Sequence, residues 1–256
     1  MLYIISGGLK RLSAVADKVV PFMALLYVIG GLVVILVNIH NVPSMFVSIF
    51  KGAFSLKAAT GGAIGIGMKE AMRYGVARGL YSNEAGEGSA AVMHSSAQVD
   101  HPSRQGLYGI ADVFIDTMII CSVSGFTVLL TGVARPDAEA AILVSEAFGT
   151  VLPILRYVVY ISLFLFCATS LMSQWYFGNV SLNYLFGGKK AVTVYKWIFP
   201  ITVIIGSMAS HNLVWLIQDC ALGLLVLPNL IALVIMAGKV RALTKDFFSH
   251  EPVEKF

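Results

Sequence analysis

The sequence predicts an all-α polytopic membrane protein of about six transmembrane passes, organised as a single transmembrane domain over residues 1–256. Three observations lead there. Only 12% of the residues are charged, about half the roughly 25% of a soluble domain, so part of the surface must face lipid. Apolar runs near the ~20 residues that a helix needs to cross a bilayer recur along the chain. The basic residues gather in alternate connecting segments, as in the short cytoplasmic loops of membrane proteins. Every pass is helical, because lipid-exposed backbone must satisfy its own hydrogen bonds.

Val19 to Ile39 supplies the first pass and runs on without a charge to Lys51. A weaker stretch, Phe46 to Gly79, is interrupted by Lys51, Lys57 and Lys69. Gln105 to Gly132 carries Asp112 and Asp116 in its first half, and Val151 to Asn183 holds no charge after Arg156. Val192 to Ala209 and Asn212 to Gly238 complete the set, divided by "SHN". "MLYII" is too short for the apolar region of a secretory signal, and basic residues follow it instead of preceding it. Cys121, Cys167 and Cys220 lie inside apolar segments without CxxC spacing. They read as small buried hydrophobes, not as a disulfide framework or a zinc site.

The net charge is +4, and its distribution is more informative than its sum. With the amino end inside, the inner segments hold 14 Lys and Arg residues and the outer segments 4, namely Lys51, Lys57, Arg135 and Arg156. That asymmetry places both termini in the cytoplasm, and the cytoplasmic membrane is the expected location.

"GGAIGIG", Gly61 to Gly67, puts four glycines into seven residues of the weak stretch. Each disfavours a helix interior by roughly 1 kcal/mol relative to alanine. Gly61 and Gly65 form a GxxxG pair, so close helix packing is one reading. A helix broken across Gly61–Gly65 is the sharper one. Its freed N–H and C=O groups would line a cavity and meet a carboxylate, an ammonium or a cation. In the next segment, "SNEAGEGSA", Ser82 or Asn83 can cap a helix whose first turn carries Glu84 and Glu87. Asp112 and Asp116, four apart, fall on one helix face, with Asp116 the deeper network residue; Asp219 has a comparable claim. "CATSLMSQWYFGN" concentrates polar groups in the middle of the longest uncharged run. Thr169 and Ser170 can each bond back to a helix carbonyl, or together complete an oxygen site for Na⁺.

At "GGLKRL", "NIHNVP", "GVARGLYSNEAGEGSA", "DHPSRQGL", "VFIDT" and "LPNLIALV" the sequence resembles the alanine/glycine:cation symporter family, the sodium:alanine symporters. The resemblance implies an amino-acid carrier of the LeuT-like five-plus-five inverted-repeat fold, moving alanine or glycine with Na⁺ as coupling ion. It identifies this chain with the carboxyl-terminal half of that fold, without the half that bears the first broken helix and its GTGN-type motif. Gly61, Gly62, Ala63 and Gly65 then match the second broken helix against the substrate, and Thr169 and Ser170 match hydroxyls near sodium. Ala63 stands where the family often has a bulky aromatic. The family's Trp-Ser-Tyr-Tyr-Gly-Glu reads "QWYFGN" here, with Gln174 facing the substrate position and Asn179 at the end. Ser82, Asn83, Glu84 and Asp116 belong to the family motif.

The leading function is sodium-coupled symport of small neutral amino acids, with an amino-terminal half or a second copy as partner. The alternative is a non-transporting membrane half-bundle. An enzyme is not expected, because the five histidines are scattered and "GEGSAA" is neither a nucleophile elbow nor a phosphate loop. No nucleic-acid partner and no cofactor beyond the coupling ion is expected.

Overall fold

Apolar runs flanked by charge become long helices in the computed structural model, which describes residues 8–54, 63–135 and 140–250. Among the described residues there is no strand. α1 spans Gly8–Val37, and a short 3-10 turn, Ile39–Asn41, leads into α2, Val42–Phe54. α3 is Ala63–Ser82, and α4 is Ser89–His94. α5, Pro102–Val113, passes through a π-helical turn, Phe114–Ile120, directly into α6, Cys121–Thr131. α7 (Ala140–Val151), α8 (Leu155–Phe186), α9 (Lys189–Met208) and α10 (His211–His250) complete the chain.

Five of the described helices are long and apolar enough to cross a membrane: Ala14–Val37, Pro102–Thr131, Leu155–Phe186, Lys190–Met208 and His211–His250. The sixth expected pass, Phe46–Gly79, is not among them. Its charges are the physical reason: Lys69, Glu70, Arg73 and Arg78 interrupt α3, which begins at Ala63. α10 has 40 residues, about 60 Å of helix, so it runs well past a hydrocarbon core of about 30 Å. The cysteines correct another expectation, since all three are exposed, not buried.

The described chain forms two compact units. The first comprises residues 1–73 and 118–196, where α1, α6, α7 and α8 pack on one another. Its core is Tyr27, Val34, Val123, Phe148 and Val159. The Tyr27 ring lies 5.3 Å from that of Phe148, and its hydroxyl shares a 2.6 Å hydrogen bond with Ser124. Gly31 lets α1 approach α6 so closely that a Cβ there would overlap the Val123 side chain.

The second unit comprises residues 74–117 and 197–256. α5 packs on the carboxyl-terminal part of α10. His101 caps α5 by accepting the Ser103 N–H at 3.1 Å through Nδ1, and its ring stacks 5.1 Å from buried Phe247. Pro102 at the first helical position removes a donor that would lack a partner anyway.

The close approach at Gly31 gives a stability prediction. Gly31→Ala should destabilise the protein by about 1–3 kcal/mol through overpacking against a stiff β-branched side chain, and Val123→Ala in the same chain should recover most of that loss. Thermal unfolding in detergent measures both; an unchanged midpoint for Gly31→Ala would remove this contact from the core.

Candidate functional site

Within the second unit the helical backbone stops at Ser82 and resumes at Ser89. The sequence explains why. Asn83 folds its side chain into a local turn, accepting the Ala85 N–H at 3.1 Å. Glu84 takes a φ of 56°, rare for a residue with a Cβ. Gly88, at φ 84°, could not carry a side chain, because a Cβ would stand 2.7 Å from Asn229 Oδ1. The helix expected to start at Ser82 or Asn83 therefore does not form. Ser82 ends α3, and Glu84 and Glu87 sit in a non-helical segment.

That segment is held from α10. Asn229 Nδ2 donates to the Ala85 carbonyl at 3.0 Å and to the Gly86 carbonyl at 2.9 Å. Asn229 lies ten residues before Lys239 in a run that carries no charge after Asp219, which is about 15 Å along the helix. Unwound backbone at that depth is tolerated only where protein buries it or where it lines a wet cavity. The first condition is met at Gly86, which is buried. A groove of about 410 Å³ runs beside Ala85 and Gly88, with His94, Gly109, Asp112 and Asn229 in its walls.

The π turn positions the next carboxylate. That turn, Phe114–Ile120, begins between Asp112 and Asp116. Asp112 lines the groove, whereas Asp116 accepts a hydrogen bond from the Ser82 hydroxyl. Ser89 Oγ donates to Glu87 at 2.7 Å and lies 3.2 Å from Glu84. Four carboxyl groups thus bear on one loop, and no group of His, Cys, Asp or Glu among the described residues is arranged to hold a metal ion.

One turn earlier, Arg78 donates to Asp219 at 2.5 Å and lies 4.0 Å over the Trp215 ring. Arg78 was expected in an inner connecting segment. It instead sits within α3 beside Asp219, twenty residues before Lys239, about 30 Å along α10. A guanidinium there is stabilised by the paired carboxylate and the indole face.

The remaining expected residues fall in the first unit. Gly61 and Gly62 lie outside the described residues. Ala63 and Gly65 stand in the first turn of α3, so backbone from Ala63 onward is helical and no break extends through Gly65. Thr169 and Ser170 do not share a face, because successive helical residues differ by about 100°. Thr169 is buried and donates to the Leu165 and Phe166 carbonyls, 3.0 Å from each. Ser170 is exposed, together with Gln174 four residues on. Ser170 is also close to the midpoint of the 32-residue α8. Trp175 is buried among the residues of the opposite face, and Asn179 is half-buried. Asn229 is the residue that sequence reasoning missed. Its signal was present in "LPNLIALV", where an amide inside an apolar helix demands a partner.

One measurement follows from this geometry. Asn229→Ala removes two hydrogen bonds, each contributing about 0.5–1.5 kcal/mol, so amide exchange across residues 84–89 should accelerate accordingly while α5 stays protected. Exchange there no faster than in the unaltered protein would contradict the assignment.

Comparison with known proteins adds the family. The model of the sodium:alanine symporter family matches residues 1–255. The chain is 38% identical over 252 residues to the uncharacterized transporter YflA of Bacillus subtilis, covering 97% of this chain and 53% of that one. It is 36% identical over 248 residues to the sodium/alanine symporter AgcS of Methanococcus maripaludis, covering 95% and 54%. With the probable sodium/glutamine symporter GlnT of Bacillus subtilis it shares 35% identity over 261 residues, covering 98% and 52%. The chain spans about half the length of the curated relatives it matches. With the family model matched almost end to end, the chain belongs to the sodium:alanine symporter family.

Proposed function

We propose that this chain supplies part of a sodium-coupled carrier for a small neutral amino acid, alanine or glycine, in the cytoplasmic membrane. The observation that carries the reading is the non-helical segment Asn83–Gly88, held by Asn229 inside the apolar length of α10. A passive bundle has no need of unwound backbone there, whereas carriers use it to meet solute and ion. Family membership and the printed names of relatives, among them a sodium/alanine symporter, supply the solute and coupling-ion classes.

In this reading the glycines at Gly61, Gly62 and Gly65, with Ala63, border the substrate. The face of α8 that carries Ser170 and Gln174 adds polar contacts near the bilayer midplane, where carriers of inverted-repeat architecture place their sites. Of the two expected hydroxyls, Ser170 contributes to the sodium site, because Thr169 lies on a different face with its hydroxyl turned onto its own helix. Both termini cytoplasmic, as the second half of a LeuT-like fold, remain the proposed topology; the sixth crossing that this needs runs through residues 55–62, which lie outside the described residues. The other wall of the site comes from further polypeptide, an amino-terminal half or a second copy, consistent with relatives about twice as long. A cation held by so few oxygens would otherwise stay hydrated, since removing water without replacement ligands is costly.

Reconstitution tests this directly. Sodium-driven alanine uptake should be absent from liposomes holding this chain alone and should appear when an amino-terminal half is supplied. In the complemented system, Ser170→Ala should raise the sodium concentration for half-maximal uptake more than it changes alanine affinity at saturating sodium. Uptake without sodium dependence would refute the coupling, and absence of uptake with any partner would favour a non-transporting half-bundle.

A further inference from the structure

At the start of α5 one imidazole serves two elements. Pro102 brings no N–H, so the first donors of α5 are those of Ser103 and Arg104. His101 meets both. Its Nδ1 accepts the Ser103 N–H at 3.1 Å, and its carbonyl accepts the Arg104 N–H at 3.1 Å. The same ring reaches α10, stacked 5.1 Å from buried Phe247 with Nε2 3.5 Å from Asp246. His101 thereby ties the first turn of α5 to the end of α10.

A peptide N–H can only donate, so Nδ1 must offer a lone pair, and the neutral ring carries its hydrogen on Nε2. That nitrogen stands farther from Asp246 than the 2.7–3.2 Å of a good N–H···O bond, so the cap, and not the carboxylate, fixes the ring. A second proton reverses this. It can bind only at Nδ1, where it turns the acceptor into a donor set against the Ser103 N–H. The ring is then a cation with a carboxylate within reach, and the pull of Asp246 opposes the cap.

The other charged groups that face the ring are few. Asp100 accepts from the His101 N–H at 3.0 Å and from Arg104 Nε at 2.8 Å. Arg104 holds its guanidinium 5.6 Å from the centre of the Phe247 ring. From α10 comes His250, whose Nδ1 lies 3.4 Å from the second Asp246 oxygen. All of them lie past the uncharged run of α10 that ends at Lys239, or before the start of α5 and in its first turn. The Asp246 side chain is 58% exposed, so water can deliver the proton.

We infer that His101 is a proton-operated latch between α5 and α10. Unprotonated, it caps α5 and anchors its first turn; protonated, it gives up the Ser103 N–H for Asp246 and frees that turn. Histidine changes charge between pH 5 and 8, so acidification at the basic end of α10 works the latch. α5 also carries Gly109 and Asp112 in the wall of the groove beside the Asn83–Gly88 segment, which gives the latch a lever on that wall. The latch is independent of which solute the carrier moves.

Hydrogen exchange of the protein in nanodiscs tests this, read as protection relative to the unstructured rate at each pH. From pH 8 to pH 5, protection of residues 103–105 should fall by about fivefold, the factor of a typical helix cap, while residues 222–230 of α10 hold theirs. His101→Asn supplies a capping oxygen that does not titrate and should keep the pH 8 protection at pH 5. Asp246→Asn should retain the loss but move its midpoint to lower pH, because the protonated ring loses its counter-charge. Constant protection of residues 103–105 in the unaltered protein would overturn the latch. So would a loss that persists in His101→Asn, which would place the titrating group elsewhere, and so would a midpoint unmoved by Asp246→Asn.

Discussion

Lipid offers no hydrogen-bond partner to a peptide group, so every N–H and C=O within the hydrocarbon must be satisfied by the protein or by enclosed water. Most of this chain meets that constraint by remaining helical. Between Ser82 and Ser89 it does not, and the carbonyls of Ala85 and Gly86 are met by one side chain, the Asn229 amide. Gly88 is required because Asn229 leaves no room for a Cβ at that position. Ser82 and Asp116 are joined at the start of the same segment. The carboxyl groups of Glu84, Glu87, Asp112 and Asp116 gather around it, and such groups are costly in lipid and face the protein interior.

The first unit shows the opposite economy of polar groups. Its core is aliphatic and aromatic, and the Tyr27–Ser124 pair satisfies both hydroxyls there. Thr169 turns its hydroxyl onto its own helix, so it can be buried at little cost. Ser170 and Gln174 lie on the exposed side of the same helix near its midpoint. Polar side chains at that depth favour protein or water over lipid tails.

Long elements were legible in the sequence because lipid imposes a simple rule on them. Val19–Ile39, Gln105–Gly132 and Val151–Asn183 each fall on a described helix within a few residues, and "SHN" does divide α9 from α10 at Ser210. What failed was local. A serine, an asparagine and two early glutamates form a convincing helix start, yet a left-handed Glu84 and the closeness of Gly88 to Asn229 hold the backbone unwound. Those features depend on contacts 140 or more residues away in sequence, which no local pattern encodes. The π turn likewise leaves no compositional trace. The adjacency of Thr169 and Ser170 suggested a pair, whereas helical rotation sends them to different faces.

Water access to the Asn83–Gly88 segment tests the central claim most directly. In protein whose three cysteines have been replaced, a nitroxide at Ala85→Cys, an exposed position, can be compared in bilayers with one at Ile235→Cys, on the exposed side of α10. If unwound backbone at membrane depth lines an aqueous cavity, the label at position 85 should relax faster with a water-soluble nickel chelate than the label at 235, and gain less from oxygen. A label at 85 that responds to oxygen alone, like a lipid-facing site, would contradict the account.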